Sequence, residues 1–222
     1  MLKESGNSKS DQVERQVLKK LSAYELKPGD RFSELELARQ LGTSTIIMRE
    51  ALFKIGQSGI IKKHPHQKWE VIEFSPELIE EIAAVRSLLE DYALQALGTL
   101  AATDPVWERF DQLEVSHRKL LGEKEITHAQ MRIIERDFHS AIIEATHNRF
   151  IEHTYNSVFT LVIFHLWQIE YDRSKIERIL KHHLLVLEAL AAKDFQKARY
   201  QMQSHLEFAK DSMKKVNDNL SR

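Results

Sequence analysis

The spacing of apolar residues near the start of the chain is helical. One stripe recurs every three or four positions and predicts a helix over about residues 11–23; its members are Val13, Val17, Leu18 and Leu21. Ser33 and Glu36 have the spacing of a capping box, which predicts that a second helix follows Ser33. Gly42 ends this helix, because glycine readily adopts the left-handed conformation that follows a helix.

A third helix and two strand patterns complete this region. Ser44 can cap a helix that runs to about residue 57, and two short helices joined by a tight turn predict a helix-turn-helix. Residues 60–63 and 69–72 favour strands, and the turn residues 64–67 lie between them. A strand, turn and strand after a helix-turn-helix predict a wing.

Helical periodicity continues through the rest of the chain. Ser75-Pro76 marks a helix start, with proline in the first helical position, and about six amphipathic helices follow without a strand pattern. We therefore predict a mainly α fold in three segments. Residues 1–10 form a disordered tail, residues 11–74 a winged helix-turn-helix with a small β wing, and residues 75–222 an all-α antiparallel helical bundle.

The composition also indicates where in the cell the protein is located. Hydrophobic residues make up 42% of the 222 residues and charged residues 29%, which is enough for two packed domains. The chain contains no cysteine, so disulfides and thiolate chemistry are excluded. It has neither an apolar run of membrane-spanning length nor an N-terminal signal-peptide pattern. We expect a cytoplasmic protein without a membrane partner.

The charge distribution permits a nucleic-acid partner without requiring one. The formal net charge is −1. Residues 1–75 carry 13 Lys and Arg against 10 Asp and Glu, a net charge of +3, and the remainder carries 19 against 23, a net charge of −4. The positive end of the chain coincides with the predicted helix-turn-helix.

Several motifs in the first 73 residues resemble the winged-helix domain of the GntR family of bacterial repressors. They are Leu26-Lys27-Pro28-Gly29-Asp30-Arg31-Phe32-Ser33-Glu34, Leu37-Ala38, Leu41-Gly42-Thr43-Ser44 and Arg49-Glu50-Ala51-Leu52. The helical remainder resembles the FCD effector domain of the FadR-type branch. The resemblance implies a homodimeric transcription regulator that binds a double-stranded DNA operator and responds to a small organic acid. A weaker similarity to regulators of sugar-acid catabolism suggests a sugar acid.

The resemblance also implies which residues bind DNA. In this family the third helix enters the major groove, which places Ser44, Thr45 and Arg49 at the DNA. The wing would contribute Lys62, Lys63 and Lys68, although lysines at these positions are also typical of an ordinary solvated surface.

This chain departs from the family pattern on the same surface. Thr45 stands where the family usually has arginine, Leu35 where it often has a basic residue, and Ile46-Ile47 where it has Thr-Pro. The wing tip, His66-Gln67-Lys68, lacks the usual glycine. Because cationic contacts supply most of the non-specific affinity for DNA, we expect an altered operator or weaker binding.

A metal centre is the second expectation. Glu135 and His139 are four residues apart on a predicted helix and share one face, so they can chelate a divalent ion or form an ordinary surface pair. The resemblance adds two histidines on later helices and implies the ligands Glu135, His139, His183 and His205, although most of the family has aspartate at the first position. This donor set suits zinc, nickel, iron or manganese without choosing among them.

His183 is preferred to its neighbour His182 because of its spacing in the family pattern. The two side chains point about 100° apart on a helix, so only one can face a given pocket. His183 and His205 lie about ten residues on either side of Lys193-Asp194, a predicted turn between antiparallel helices. They should therefore be level with each other.

Arg86 is the candidate effector-binding residue. The resemblance implies that it holds the carboxylate of a bound acid, while an intrahelical pair with Glu90 is the alternative. His165 is interpreted as a core histidine, with a pocket wall as the alternative. The aromatic residues Phe159, Phe164 and Trp167 are expected to fill the core.

Two other functions compete with regulation. Three histidines and a carboxylate can activate water on a metal, which would make the chain a metal-dependent hydrolase. The sequence has no HExxH motif and no strong candidate for a separate general base. A DNA-binding protein without an effector is the third hypothesis. We expect a regulator rather than an enzyme.

Overall fold

The chain folds into two compact units. The computed structural model describes residues 8–64, 68–166 and 172–220, with side chains through residue 215. One unit comprises the described parts of Met1–Ser75 and Asn156–Gln168, and the other those of Pro76–Tyr155 and Ile169–Arg222. The fold is mainly α, as predicted. Within the described residues, no helix combines the length and hydropathy needed to cross a bilayer.

The described residues up to Ser75 form three helices and three short strands of the N-terminal unit. They are α1 (Lys9–Ser22), β1 (Arg31–Phe32), α2 (Glu34–Gln40), α3 (Thr45–Gly56), β2 (Ile61–Lys63) and β3 (Trp69–Val71). Helix α1 begins two residues earlier than predicted. The Ser8 hydroxyl accepts a hydrogen bond from the Asp11 amide (3.1 Å) and the Asp11 carboxylate accepts one from the Ser8 amide (3.1 Å), so residues 8–10 are not part of a disordered tail.

Strand β3 lies at the centre of the sheet and pairs with β1 and β2 in antiparallel fashion. The wing strands β2 and β3 confirm the prediction. Strand β1 was not predicted, because two residues are too few to show an alternating pattern. Of the predicted wing turn, residues 65–67 lie outside the described residues, and the His64 amide donates to the Lys68 carbonyl (3.2 Å).

Local capping defines the helix-turn-helix. The Ser33 hydroxyl accepts from the Glu36 amide (3.1 Å) and the Glu36 carboxylate from the Ser33 amide (2.8 Å), the predicted capping box. Gly42 follows α2 with a φ of 63°, and the Ser44 hydroxyl caps α3 by accepting from the Ile47 amide (3.3 Å). The inner face of α3 is apolar and buried; it consists of Met48, Ala51, Leu52 and Ile55.

The second unit is a helical bundle. Its helices are α4 (Pro76–Leu97), α5 (Val106–Gly122), α6 (His128–Glu144), the first residues of α7 (Arg149–Leu166), α8 (Arg173–Ala191) and α9 (Phe195–Leu220). Helix α9 packs against α4 and α8, α8 also packs against α5, and α6 packs against α4 and α5. The described residues after Ser75 thus form six helices and no strand, as predicted.

The later part of α7 belongs to the N-terminal unit. Phe159 and Phe164 are buried, as predicted, and Trp167 lies outside the described residues. His165 is also buried, with its ring edge-on to Phe74 at a centroid distance of 4.7 Å. This environment agrees with the interpretation of His165 as a core histidine.

We expect the two faces of α3 to differ sharply in their tolerance of truncation. Leu52 is fully buried and Ile46 is 79% exposed. Leu52→Ala should destabilise the N-terminal unit by about 2–5 kcal/mol, since it leaves a cavity, whereas Ile46→Ala should change its stability by no more than about 0.5 kcal/mol. Amide hydrogen exchange of α3 in both variants measures this. Equal protection in the two variants would contradict this packing.

Candidate metal centre and nucleic-acid interface

Helix α6 turns Glu135 and His139 into the helical bundle. The hydroxyl of Thr127 caps this helix by accepting from the Gln130 amide (3.2 Å). Its inward face is otherwise apolar, and its buried aliphatic and aromatic residues include Met131, Ile134, Phe138 and Ile142. Because Glu135 and His139 share this face, both side chains are buried. The alternative of a surface Glu–His pair is therefore wrong.

The hairpin of α8 and α9 brings the other two histidines level. Helix α8 ends at Ala191 and α9 begins at Phe195, with Lys193 between them at a φ of 57°. The predicted turn is thus confirmed. The Nε2 atoms of His183 and His205 lie 3.4 Å apart.

Four buried side chains converge in the bundle. His139 Nε2 lies 3.1 Å from His205 Nε2, and the Glu135 carboxylate oxygens lie 3.7 Å from His139 Nε2 and 3.6 Å from His183 Nε2. One ligand atom from each of Glu135, His139, His183 and His205 falls within 4.8 Å of all the others. The structure therefore brings together the four residues predicted as ligands.

His183, and not His182, faces this cluster. His183 is buried, and its ring stacks on Phe138 with centroids 3.8 Å apart and an interplanar angle of 13°. His182 is only half-buried and stacks on Phe208 with centroids 5.5 Å apart. The choice between these neighbours, made from family spacing, agrees with the geometry.

The outer nitrogen of His139 is held by a buried carboxylate. Glu90 Oε2 lies 2.7 Å from His139 Nδ1, and Glu90 Oε1 accepts from Arg86 Nε (3.0 Å) and from the Tyr155 hydroxyl (3.1 Å). Burial raises the pKa of Glu90, but its interactions with His139 and Arg86 outweigh this effect and lower the pKa to about 2. An ionised carboxylate only accepts hydrogen bonds, so Nδ1 of His139 donates and its Nε2 keeps a lone pair.

The outer nitrogen of His183 has a partner that sequence reasoning missed. His117 Nε2 lies 2.9 Å from His183 Nδ1, and His117 Nδ1 lies 2.6 Å from the Leu113 carbonyl oxygen. Burial lowers the pKa of His117 to about 4. A sequence signal existed, because His117 is the polar member of the buried stripe of α5, formed by Phe110, Leu113, His117 and Leu120.

The cluster fits a metal ion. Ligand atoms about 2.1 Å from one ion stand roughly 3.0–3.4 Å apart at octahedral or tetrahedral angles. The contacts of 3.1, 3.4, 3.6 and 3.7 Å lie within a few tenths of an ångström of this range. The Nδ1 atom of His205 is buried and has no hydrogen-bond partner within the described part of the chain. If His205 donated its Nε2 lone pair to an ion, its ring proton would be on this Nδ1 atom.

The chemistry of the donors agrees with this geometry. Burial is the main cause that lowers the pKa of His183 and of His205, so both imidazoles are neutral at pH 7, which is the form that binds a metal ion. Burial also raises the pKa of Glu135, which means that its charge is poorly compensated by the protein. A divalent cation would compensate it. Three imidazoles and one carboxylate suit zinc, nickel, iron or manganese.

Arg86 lies beside the cluster rather than in it. Its Nε donates to Glu90, so the intrahelical pair that stood as the alternative is present. Its Nη2 lies 3.2 Å from His139 Nε2, the nitrogen whose lone pair points to the other ligands. Arg86 and a metal ion would therefore compete for one lone pair. A carboxylate bound to that ion would lie within reach of the guanidinium.

The predicted DNA-contact residues lie at the surface of the N-terminal unit, but Lys62 and Lys63 point to opposite faces of the wing sheet because they are consecutive in β2. Ser44 and Arg49 are exposed on α3, Thr45 is half-exposed, and Lys62, Lys63 and Lys68 are exposed in the wing. Ile46, at the start of α3, is 79% exposed. Leu35, where the family often has a cation, is also exposed. Of the wing tip, His66 and Gln67 lie outside the described residues.

Glu34 links α3 to the wing through hydrogen bonds. Its carboxylate accepts hydrogen bonds from Arg49 Nε (2.8 Å), Lys63 Nζ (2.8 Å) and Trp69 Nε1 (3.2 Å). Burial raises the pKa of Glu34, but these hydrogen bonds lower it overall. One carboxylate at the start of α2 thereby orients cations from α3 and from the wing.

The remaining wing lysines are paired in the same way. Lys62 Nζ lies 2.7 Å from Glu70, which also accepts from Arg31 Nε (2.5 Å), and Lys68 Nζ lies 3.9 Å from Glu36. All the predicted cations thus have carboxylate partners, which sequence reasoning did not anticipate. Although Glu70 is buried, the lysine ends of these pairs are about half exposed, so a phosphate can approach each Nζ atom.

Together these features define a winged helix-turn-helix protein with an all-α second domain that has a buried cluster of metal-ligand type. The FCD domain family matches residues 81–208, and the chain belongs to this family. The resemblance to GntR-family regulators with an FCD domain is confirmed.

The chain is similar to known regulators over most of its length. It is 29% identical over 201 residues to the "Probable HTH-type transcriptional regulator LgoR" of Escherichia coli (strain K12). The aligned region covers 90% of this chain and 66% of that protein. The chain therefore spans just under two thirds of this relative's length. The name of this relative describes a transcription regulator, and a regulator rather than an enzyme is what we expected of this chain.

Two solved structures share the fold. E. coli McbR/YncC superimposes with a TM-score of 0.72 at 23% identity, over 95% of this chain and 99% of that one. A transcriptional regulator, GntR, from Rhodococcus sp. RHA1 superimposes with a TM-score of 0.70 at 19% identity, over 93% of this chain and 98% of that one. At these identities the likeness supports the fold alone.

The adjacent histidines of α8 provide a matched test of the metal ligands. His183→Ala should abolish stoichiometric metal binding, because it removes one of four converging donors, whereas His182→Ala should preserve it. Untagged proteins are equilibrated with Zn²⁺, dialysed and measured by plasma mass spectrometry. Equal metal content in the two variants, or loss in His182→Ala alone, would contradict this ligand set.

Proposed function

We propose that the chain is an effector-responsive transcription regulator, acting as a homodimeric repressor. The N-terminal unit binds operator DNA, and the helical unit binds a divalent metal and a small organic acid. The observation that carries the proposal is the convergence of Glu135, His139, His183 and His205 in a chain that also has a capped helix-turn-helix and a wing.

DNA binding rests on α3 and the wing. The N-terminal residues of α3 would face base edges, with Ser44 and Thr45 at its start and Arg49 one turn later. Lys62, Lys63 and Lys68 would exchange their carboxylate partners for phosphates. A two-fold operator requires two such helices about one DNA turn apart, which is the reason to propose a dimer.

Effector binding rests on the interior of the helical unit. An ion that accepts more than four ligands would, when held by three imidazoles and one carboxylate, keep coordination positions for a carboxylate or hydroxyl oxygen. Arg86, 3.2 Å from His139 Nε2, would hold the same acid by charge-assisted hydrogen bonds. A sugar acid, which offers both groups, is the effector class proposed.

Two alternatives remain distinguishable from this proposal. A metal-dependent hydrolase would need a general base beside the ion, but Glu90, the ionised carboxylate closest to His139, is engaged by Arg86 and Tyr155. A DNA-binding protein without an effector would bind metal and no acid.

Arg49 provides the test of the DNA-binding surface. Arg49→Ala should weaken specific binding by about 1–3 kcal/mol if the side chain contacts a base, which is roughly a 5- to 150-fold change in Kd. The control is Arg136→Ala, which removes an exposed arginine of the helical unit. Anisotropy titrations at fixed salt use duplexes that the wild type enriches from a random pool. Equal affinity of the two variants for the duplex would contradict the assignment of α3 as the DNA-binding helix.

Arg86 provides the test of effector binding. In the zinc-loaded protein, Arg86→Met should weaken binding of a carboxylate by roughly tenfold or more, because it removes a charge-assisted hydrogen bond, and Arg86→Lys should be intermediate. Calorimetry with acetate, L-lactate and gluconate measures this. Unchanged affinity in Arg86→Met would leave Arg86 with only its structural pairing to Glu90. If the wild type binds none of the acids, the result favours the alternative of a DNA-binding protein that has no effector.

A further inference from the structure

His117 is a fully buried histidine that is not one of the four converging ligands. It lies on α5, and its Nε2 atom faces His183 Nδ1 at 2.9 Å. Its other nitrogen, Nδ1, is 2.6 Å from the carbonyl oxygen of Leu113, one turn earlier on the same helix. Both ring nitrogens of His117 are therefore used within the bundle.

The direction of these two hydrogen bonds follows from the chemistry of their ends. A carbonyl oxygen only accepts, so the Nδ1 atom of His117 carries a proton and donates it to Leu113. A neutral imidazole has one N–H, so Nε2 of His117 must accept. The donor to it is Nδ1–H of His183. His183 then has its lone pair on Nε2, the atom that lies 3.4 Å from His205 Nε2.

We propose that His117 is a positioning residue for the metal centre: by accepting the Nδ1 proton of His183, it holds the Nε2 lone pair of His183 toward the ion. This inference rests on the proposed metal centre. A doubly protonated His117 would reverse the bond and place the proton of His183 on Nε2, where it would block the ion. It would also bury an additional charge.

Phe138 and His117 constrain different properties of the same ring. Phe138 stacks on His183 at 3.8 Å and restricts the plane of the imidazole. Stacking cannot distinguish the ring from one rotated by half a turn. The hydrogen bond to His117 does distinguish them, because only one orientation places Nδ1–H opposite the acceptor. The tautomer and the orientation are thus set together.

The ligand histidines differ in the charge of their outer partners. Nδ1 of His139 faces the ionised carboxylate of Glu90, whereas Nδ1 of His183 faces a neutral imidazole. A carboxylate partner makes the ligand more basic. His117 therefore contributes orientation without adding negative charge to a cluster that already contains Glu135 and Glu90.

The test compares two replacements of His117 by zinc affinity. His117→Leu keeps an apolar side chain in the buried site and removes the acceptor, and zinc affinity should fall by roughly 10–100-fold in chelator competition. His117→Gln can place an amide oxygen near the position of Nε2, and its affinity should stay within a few-fold of wild type. The melting temperatures of the metal-free proteins are measured in parallel. The loss of stability in His117→Leu should be too small to account for its loss of zinc affinity.

Each outcome decides the proposal. Unchanged zinc affinity in His117→Leu would overturn it, because His117 would then have no role in metal binding. Equal losses of zinc affinity in both variants would also overturn it, because they would indicate that His117 contributes only packing. Should His117→Leu not fold, long-range ¹H–¹⁵N spectra of the zinc-loaded wild type decide, and an Nε2–H tautomer of His117 would overturn the proposal. A wild type that binds no zinc would instead refute the proposed metal centre.

Discussion

The helical unit buries a cluster of ionisable side chains, and each must be compensated by another because little water reaches them. Arg86 and Glu90 offset each other through a hydrogen-bonded pair. Glu135 has no such partner among the described contacts of its carboxylate, which approaches only the Nε2 atoms of His139 and His183. With neutral imidazoles the cluster carries one excess negative charge. A cation at the convergence of the ligands satisfies this requirement.

The same requirement restricts how the helices can be arranged. Ligands and their partners come from α4, α5, α6, α8 and α9. Two of the hydrogen bonds between them join residues 49 and 66 positions apart. Sliding α8 against α9 by one residue would separate His183 from His205 and leave polar atoms unpaired in the interior. A buried polar cluster of this kind is costly unless fully satisfied, and it therefore favours one register of the bundle.

The N-terminal unit uses a mostly buried carboxylate, Glu34, in a different way. Glu34 also gathers donors from separate elements, but its partners Arg49 and Lys63 are partly exposed to solvent. Exposed ion pairs exchange partners at small cost, whereas buried ones do not. The carboxylate can thus hold two cations in position for phosphates without preventing their transfer. The exposure of the cations, rather than of the carboxylate, makes this surface exchangeable.

The features that could be predicted from sequence depend on local or regularly spaced residues. The Ser33–Glu36 capping box, the shared face of Glu135 and His139, and the level placement of His183 and His205 follow from helix geometry and one turn. Strand β1 has only two residues, and its pairing with β3 depends on a register that no local pattern encodes. The pairing of the wing cations with Glu34, Glu36 and Glu70 escaped prediction for the same reason.

The two interpretations of Arg86 also could not be separated from sequence, because they are not exclusive. A guanidinium has five N–H donors, and the pair with Glu90 is made through Nε. This pairing orients the planar fork, so that Nη2 approaches His139 Nε2 at the edge of the ligand cluster. An ion at that lone pair would replace the arginine there and redirect its donors. The structural pair with Glu90 would then position Arg86 for an acid bound to the metal.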